Sequence, residues 1–190
     1  CYLRGISEHP LVGMMEFDIY DFDRITDQGL LIPVVLHEMG HVLGIGTIWG
    51  RHELLVNPSS VIPGDDTHFK GPLAITAFDN AGGVNYTGGA KVPVENEAGP
   101  GSQDSHWREA VFGAELMSPF VNSGVQNPLS VITIQSLADL GYVVDPSQDE
   151  PYSVPLAADL VSPDRGPGVD LGNDTRRGPI LVVGPKTRRH

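Results

Sequence analysis

The run HEMGHVLGIG at residues 37–46 constrains this chain more than any other stretch. His37 and His41 stand four apart, and residues four apart share one face of an α-helix, so both imidazoles can reach a single metal ion. Zinc takes imidazole nitrogen at about 2.0–2.1 Å, and a catalytic zinc keeps one position open for water. Glu38, next to the first histidine, is placed to take a proton from such a water. A bare HExxH also occurs by chance in unrelated helices, so its surroundings matter. Leu30, Leu31, Val34, Val35 and Leu36 precede it, and Met39, Val42 and Leu43 continue it, so the helix is expected to be buried. Two histidines and a glutamate inside a buried helix need polar partners, which a metal supplies. Gly44 and Gly46 are expected to end the helix and turn the chain sharply.

A chain of 190 residues can bury one real core. Its net charge of −12 and pI near 4.8 argue against nucleic acid or an anionic membrane as partner. No apolar run approaches the length of a membrane span. Cys1 is the only cysteine, so no intrachain disulfide can form. The chain opens on Cys1 rather than Met and shows no signal peptide, so it reads as a fragment or processed piece.

Along the chain, residues 11–20, LVGMMEFDIY, read as a strand with Met15, Phe17 and Ile19 on one side. Residues 21–28 read as a polar connection, and the main helix is expected over about 30–43, with Pro33 tolerated in its first turn. Residues 47–71 are polar and irregular, 72–80 read as a short helix stopped at Gly82-Gly83, and 91–94 as a short strand. Ser130 is the expected N-cap of a helix that runs through Leu140 and ends at Gly141. The expected organisation is a domain over 1–146 followed by a Pro/Gly-rich linker or tail over 147–190 with a basic end at Lys186, Arg188 and Arg189.

A catalytic zinc normally has three protein ligands. The compact pattern HExxHxxGxxH puts the third histidine three residues after the glycine, and here that residue is Thr47, so the ligand comes from farther away. His9 reads as a surface residue and His190 lies at the terminus, while His52 and His68 sit in the polar loop. His106, in SHWREAVFGAELMSPF, is the favoured third ligand, with His52, His68 or a carboxylate as alternatives.

HEMGHVLGIGTIW, SHWREAVFGAELMSPF and LSVITIQSLADLGY together resemble a leishmanolysin-type metallopeptidase of the metzincin clan, over about residues 11–144. In that family an insertion separates the HExxH helix from the third histidine, and here 106 − 41 − 1 = 64 residues intervene. The resemblance implies an α+β, metzincin-like zincin fold. The active-site helix would pack on a small sheet, here expected to be truncated because one strand is legible before the helix, and the C-terminal subdomain would be largely irregular and end in a helix. It implies Zn2+ as cofactor, His37, His41 and His106 as metal ligands, Glu38 as general base and Met117 as the Met-turn beneath the metal. It implies cleavage of internal peptide bonds in protein or peptide substrates, with substrate backbone pairing to a sheet edge, and an extracellular or cell-surface location. Pro119 stands where some metzincins carry a tyrosine, so no such tyrosine is assigned, and the absence of disulfides points to a bacterial-type branch. One rival is a non-catalytic zinc-binding or adhesion module derived from a peptidase, against which Glu38 argues. Another is a calcium-binding acidic domain, but DIYDFDRITD lacks the spacing of an EF-hand loop.

Overall fold

A computed structural model describes residues 2–5, 7–17, 19–61, 65–156, 169–171 and 181–183. Its architecture is mixed α+β, with short helices around three small sheets. Strands β1 (Tyr2–Arg4) and β2 (Pro10–Val12) pair antiparallel, then come helices α1 (Ile19–Asp27) and α2 (Leu31–Leu43). Strands β3 (Leu55–Val56), β4 (His68–Phe69) and, after helices α3 (Pro72–Phe78) and α4 (Val84–Thr87), β5 (Val92–Pro93) form an antiparallel sheet in that order. Helix α5 (Glu109–Phe112), strand β6 (Phe120–Val121) and helix α6 (Val131–Asp139) follow. Strand β7 (Val169–Asp170) pairs antiparallel with β6, and β8 (Leu181–Val183) runs parallel to β1. Among the described residues no helix is long and apolar enough to cross a membrane.

The main core is aromatic. Trp49, Phe69, Phe78, Trp107 and Phe112 are fully buried, and the two indoles stack with centroids 4.8 Å apart. Burying each such ring removes some 150–250 Å² from water, so five rings carry much of the driving force for this half of the molecule. A smaller cluster of Ile25, Leu30, Val34, Val121, Val169 and Leu171 ties α1 and α2 to the β6–β7 pair. Ser130 caps α6 as expected, its side chain accepting from the Thr133 N–H, and Gly141 follows with φ 98.

Four expectations are corrected. Residues 11–20 do not form one strand: β2 ends at Val12, and α1 begins at Ile19. The alternation of Met15 and Phe17 is too short to outweigh the lack of a pairing partner, and Met14 is 82% exposed. Gly13 instead passes so close to α2 that a Cβ there would lie 2.4 Å from Val42 Cγ1. Helix α2 is buried on one face only. Val34, His37, Gly40 and His41 are covered, whereas Ile32, Leu36, Met39 and Leu43 are exposed. Two short strands, not one, precede α2, and the segment 47–71 contributes β3 and β4.

Candidate metal centre

The site starts from how α2 ends. Gly44, at φ 121, turns its N–H back to the carbonyls of Gly40 and His41, and Gly46 sits at φ 69, a left-handed conformation that glycine adopts freely. Thr47, where the compact motif would carry a histidine, donates its hydroxyl to the His41 carbonyl and helps to hold this turn. A Cβ on Gly46 would lie 2.0 Å from the Ser105 carbonyl oxygen. The turn therefore lets the 102–106 loop lie directly on the helix end, and the next residue is His106. Trp107 anchors the other side, its N–H donating to the Met117 carbonyl at 3.0 Å and its indole N–H to Thr133 Oγ1 at 2.8 Å.

His37, His41 and His106 meet inside the protein, at 0%, 7% and 0% exposure. Their Nε2 atoms form a nearly equilateral triangle. His37 to His41 and His41 to His106 are each 3.0 Å, and His37 to His106 is 3.1 Å. Every Nδ1 faces a backbone carbonyl: Leu116 at 2.7 Å from His37, Ile45 at 2.9 Å from His41, Ser102 at 3.0 Å from His106. Carbonyls only accept, so each Nδ1 carries the proton, and a neutral imidazole then offers a lone pair at Nε2. Burial, reinforced by the charge of His41 and opposed by the Leu116 hydrogen bond, lowers the His37 pKa to about 3. Burial, opposed by the Ile45 hydrogen bond, lowers that of His41 to about 4.

Three lone pairs at this separation repel one another, and a cation among them turns the repulsion into coordination. Tetrahedral zinc with Zn–N of about 2.0–2.1 Å separates its nitrogens by about 3.3 Å, so the triangle needs to open only slightly. The all-imidazole donor set suits zinc, and the three carbonyls orient the rings as outer partners of metal-bound histidines commonly do. Within the described residues this is the group of histidine, cysteine and acidic side chains whose ligand atoms converge in this way.

The family model of the leishmanolysin peptidases matches residues 1–157. The chain belongs to the leishmanolysin family. Leishmanolysin from Leishmania donovani is 28% identical to this leishmanolysin-family chain over 140 residues, which are 70% of the chain and 22% of that protein's length. The chain thus spans about a fifth of the relative that it matches. No solved structure matches it.

In this leishmanolysin-family chain, Glu38 follows His37 on α2 and is half-buried. Met117 is fully buried, and its Sδ lies 2.7 Å from where a Cβ on Gly40 would stand, so the thioether fills the notch between the two helix histidines. The other described histidines stay apart from the cluster. His9, expected at the surface, is half-buried. Its Nε2 meets the Leu140 carbonyl at 2.7 Å, and its ring stacks between those of Tyr142 and His52. His68 lies in β4 with Nδ1 on the Asp66 carbonyl. His190, Cys1 and the basic end lie outside the described residues.

Glu115 is the residue that the sequence reading missed. It is fully buried, and its carboxylate accepts from the Met117 N–H at 2.6 Å, the Ser130 and Thr133 hydroxyls at 2.6 Å each, and the Ser130 N–H at 3.3 Å. Burial pushes its pKa up, against the downward pull of those donors. The available signal was a carboxylate inside the apolar run around Leu116 and Met117, where a charge is costly unless it is fully hydrogen-bonded.

Proposed function

We propose that this chain carries the zinc centre of a metalloendopeptidase that hydrolyses internal peptide bonds of protein substrates. The observation that supports this most directly is the buried triangle of Nε2 atoms on His37, His41 and His106, each ring held with its lone pair inward. These three residues would hold the ion. Zinc bound there supplies a Lewis acid for the scissile carbonyl and a water acidified to a pKa of about 7. Glu38 takes the proton of the attacking water on its carboxylate and delivers it to the leaving amine nitrogen. Met117 acts as the Met-turn residue, its side chain closing the floor of the site against Gly40. The Leu116, Ile45 and Ser102 carbonyls keep all three imidazoles in the metal-binding tautomer throughout the reaction. An extracellular or cell-surface location is part of this reading and rests on the family.

The test is metal content and peptidase activity of wild type, His106→Ala and Glu38→Ala. About one zinc per wild-type chain, lost in His106→Ala and kept with loss of activity in Glu38→Ala, is the expected pattern. Full activity in Glu38→Ala removes the general base from the mechanism, and unchanged zinc in His106→Ala removes the third ligand.

A further inference from the structure

The buried carboxylate of Glu115 has a use beyond holding a turn. Residues 115–118 form a tight turn in which the Ser118 N–H donates to the Glu115 carbonyl at 3.1 Å. The central peptide of that turn joins Leu116 to Met117. Its N–H donates to Glu115 Oε2 at 2.6 Å, and its carbonyl accepts from His37 Nδ1 at 2.7 Å. One rigid peptide plane thus connects a carboxylate to an imidazole of the metal cluster. The flanking groups are pinned independently, since the Leu116 N–H donates to the Pro128 carbonyl at 3.0 Å and the Met117 carbonyl accepts from Trp107 at 3.0 Å.

We propose that Glu115 is a positioning residue for the metal centre, which acts on His37 through the Leu116–Met117 peptide and so raises metal affinity. The proposal rests on the reading of the three histidines as metal ligands. Two physical arguments carry it. First, hydrogen bonds in series polarise one another: an anionic acceptor at the N–H makes the carbonyl of the same peptide a stronger acceptor for His37 Nδ1–H. That strengthens electron donation from Nε2, the effect of a carboxylate bonded directly to a metal-bound histidine, here transmitted through one peptide. Second, three neutral imidazoles leave a divalent ion's charge uncompensated inside the protein. Holding a turn does not require a carboxylate, since a neutral acceptor would serve, and a fully buried carboxylate partnered by hydroxyls and N–H groups is expensive. Its charge is useful where a cation's ligand lies at the other end of the hydrogen-bond chain.

The experiment measures zinc dissociation constants of the full chain by chelator competition, with apo-protein melting temperature beside them, for wild type, Glu115→Gln and Asp139→Asn. Glutamine keeps the shape of Glu115 and removes the charge. Asp139 accepts from the Leu73 and Ala74 N–H groups at the start of α3, so its variant is a destabilised control that leaves this peptide untouched. Expected is a zinc affinity about tenfold weaker or more in Glu115→Gln, as for loss of outer partners at other metal sites, and unchanged in Asp139→Asn. The His37 Nδ1–H proton resonance should also move upfield in apo Glu115→Gln and stay in place in apo Asp139→Asn, which separates loss of this hydrogen-bond chain from general destabilisation. If Glu115→Gln does not fold, Glu115→Asp keeps the charge but is one methylene short of the Met117 N–H, and the same loss is expected. Wild-type affinity in the folded variant overturns the role of Glu115, and so does an equal weakening in both variants. Absence of zinc binding by the wild type overturns the metal reading itself, a result distinct from the other two.

Discussion

Gly46→Ala tests whether the helix-end turn is what delivers the third histidine. The new Cβ would stand 2.0 Å from the Ser105 carbonyl oxygen and 2.5 Å from its Cα, and both are backbone atoms that no rotamer change can clear. Bringing that oxygen out even to 3.0 Å, the lower limit of real Cβ contacts, moves the Ser105 backbone by about 1 Å. His106 is the next residue, and zinc–ligand distances tolerate only about 0.2 Å. The φ of 69 adds about 1 kcal/mol for a residue with a Cβ, and the overpacking about 1–3 kcal/mol, against a total stability of about 5–15 kcal/mol. The variant should therefore fold with a lowered melting point and lose tight zinc binding, read by chelator competition and elemental analysis. Gly50→Ala is the matched control, because a Cβ there meets nothing within 4 Å. Zinc affinity in Gly46→Ala within twofold of wild type would refute the claim that this contact places His106.

At Gly40, alanine gains about 1 kcal/mol of helix propensity, but its Cβ falls 2.7 Å from Met117 Sδ and 2.9 Å from Cε, an overpacking cost of about 1–3 kcal/mol. Net destabilisation of about 1 kcal/mol is expected in chemical denaturation, with the same Gly40→Ala change costing less in a Met117→Ala background, where the clash is absent, and stabilisation by Gly40→Ala alone would contradict this packing. His37 and His41 titrate in the fold at about 3 and about 4, below the unfolded value of 6.5, so under pH 6.5 the unfolded chain binds the protons that the fold refuses. Stability of the metal-free chain is then full above pH 6.5 and falls towards pH 4, by about 1.4 kcal/mol per pH unit for each histidine. Denaturation of chelator-treated protein between pH 4 and 7 measures the slope, and a flat profile would show that these imidazoles are not buried neutral.

The part of the site that follows local rules was legible in the residues. Spacing of four puts His37 and His41 on one helix face, glycines end that helix, and Ser130 caps α6, each a rule that acts within one or two turns of chain. His106 was reachable by counting ligands and by the family resemblance but not by local rules, because its approach depends on the Gly46–Ser105 contact across 58 intervening residues (105 − 46 − 1). Glu115 left one faint signal, a carboxylate in an apolar run, but its role was not legible: its hydroxyl partners Ser130 and Thr133 lie 15 and 18 residues away and have no motif of their own. The strand expected over residues 11–20 failed because period-two alternation over so few residues does not specify a pairing partner, and Ile25 draws the following segment into a helix against Leu30 and Val34. The fully buried expectation for α2 failed because Ile32, Leu36, Met39 and Leu43 repeat at helical spacing on the opposite face, a second apolar stripe that periodicity cannot distinguish from a covered one.

The 64 residues between His41 and His106 (106 − 41 − 1) form a long excursion whose two ends meet at the histidine triangle. A disulfide across a loop of that size would spare the folding chain about 4 kcal/mol of closure entropy, and a single cysteine rules that device out. An ion held by His41 and His106, as proposed, would do the same work as a reversible clasp. Opening it with a chelator is the counterpart of reducing a disulfide: the free energy of ion binding is withdrawn from loop closure as well as from chemistry. Zinc supply would then govern how long the 47–105 segment resists proteolytic nicking, and the chain's lifetime would report metal availability before any substrate is met.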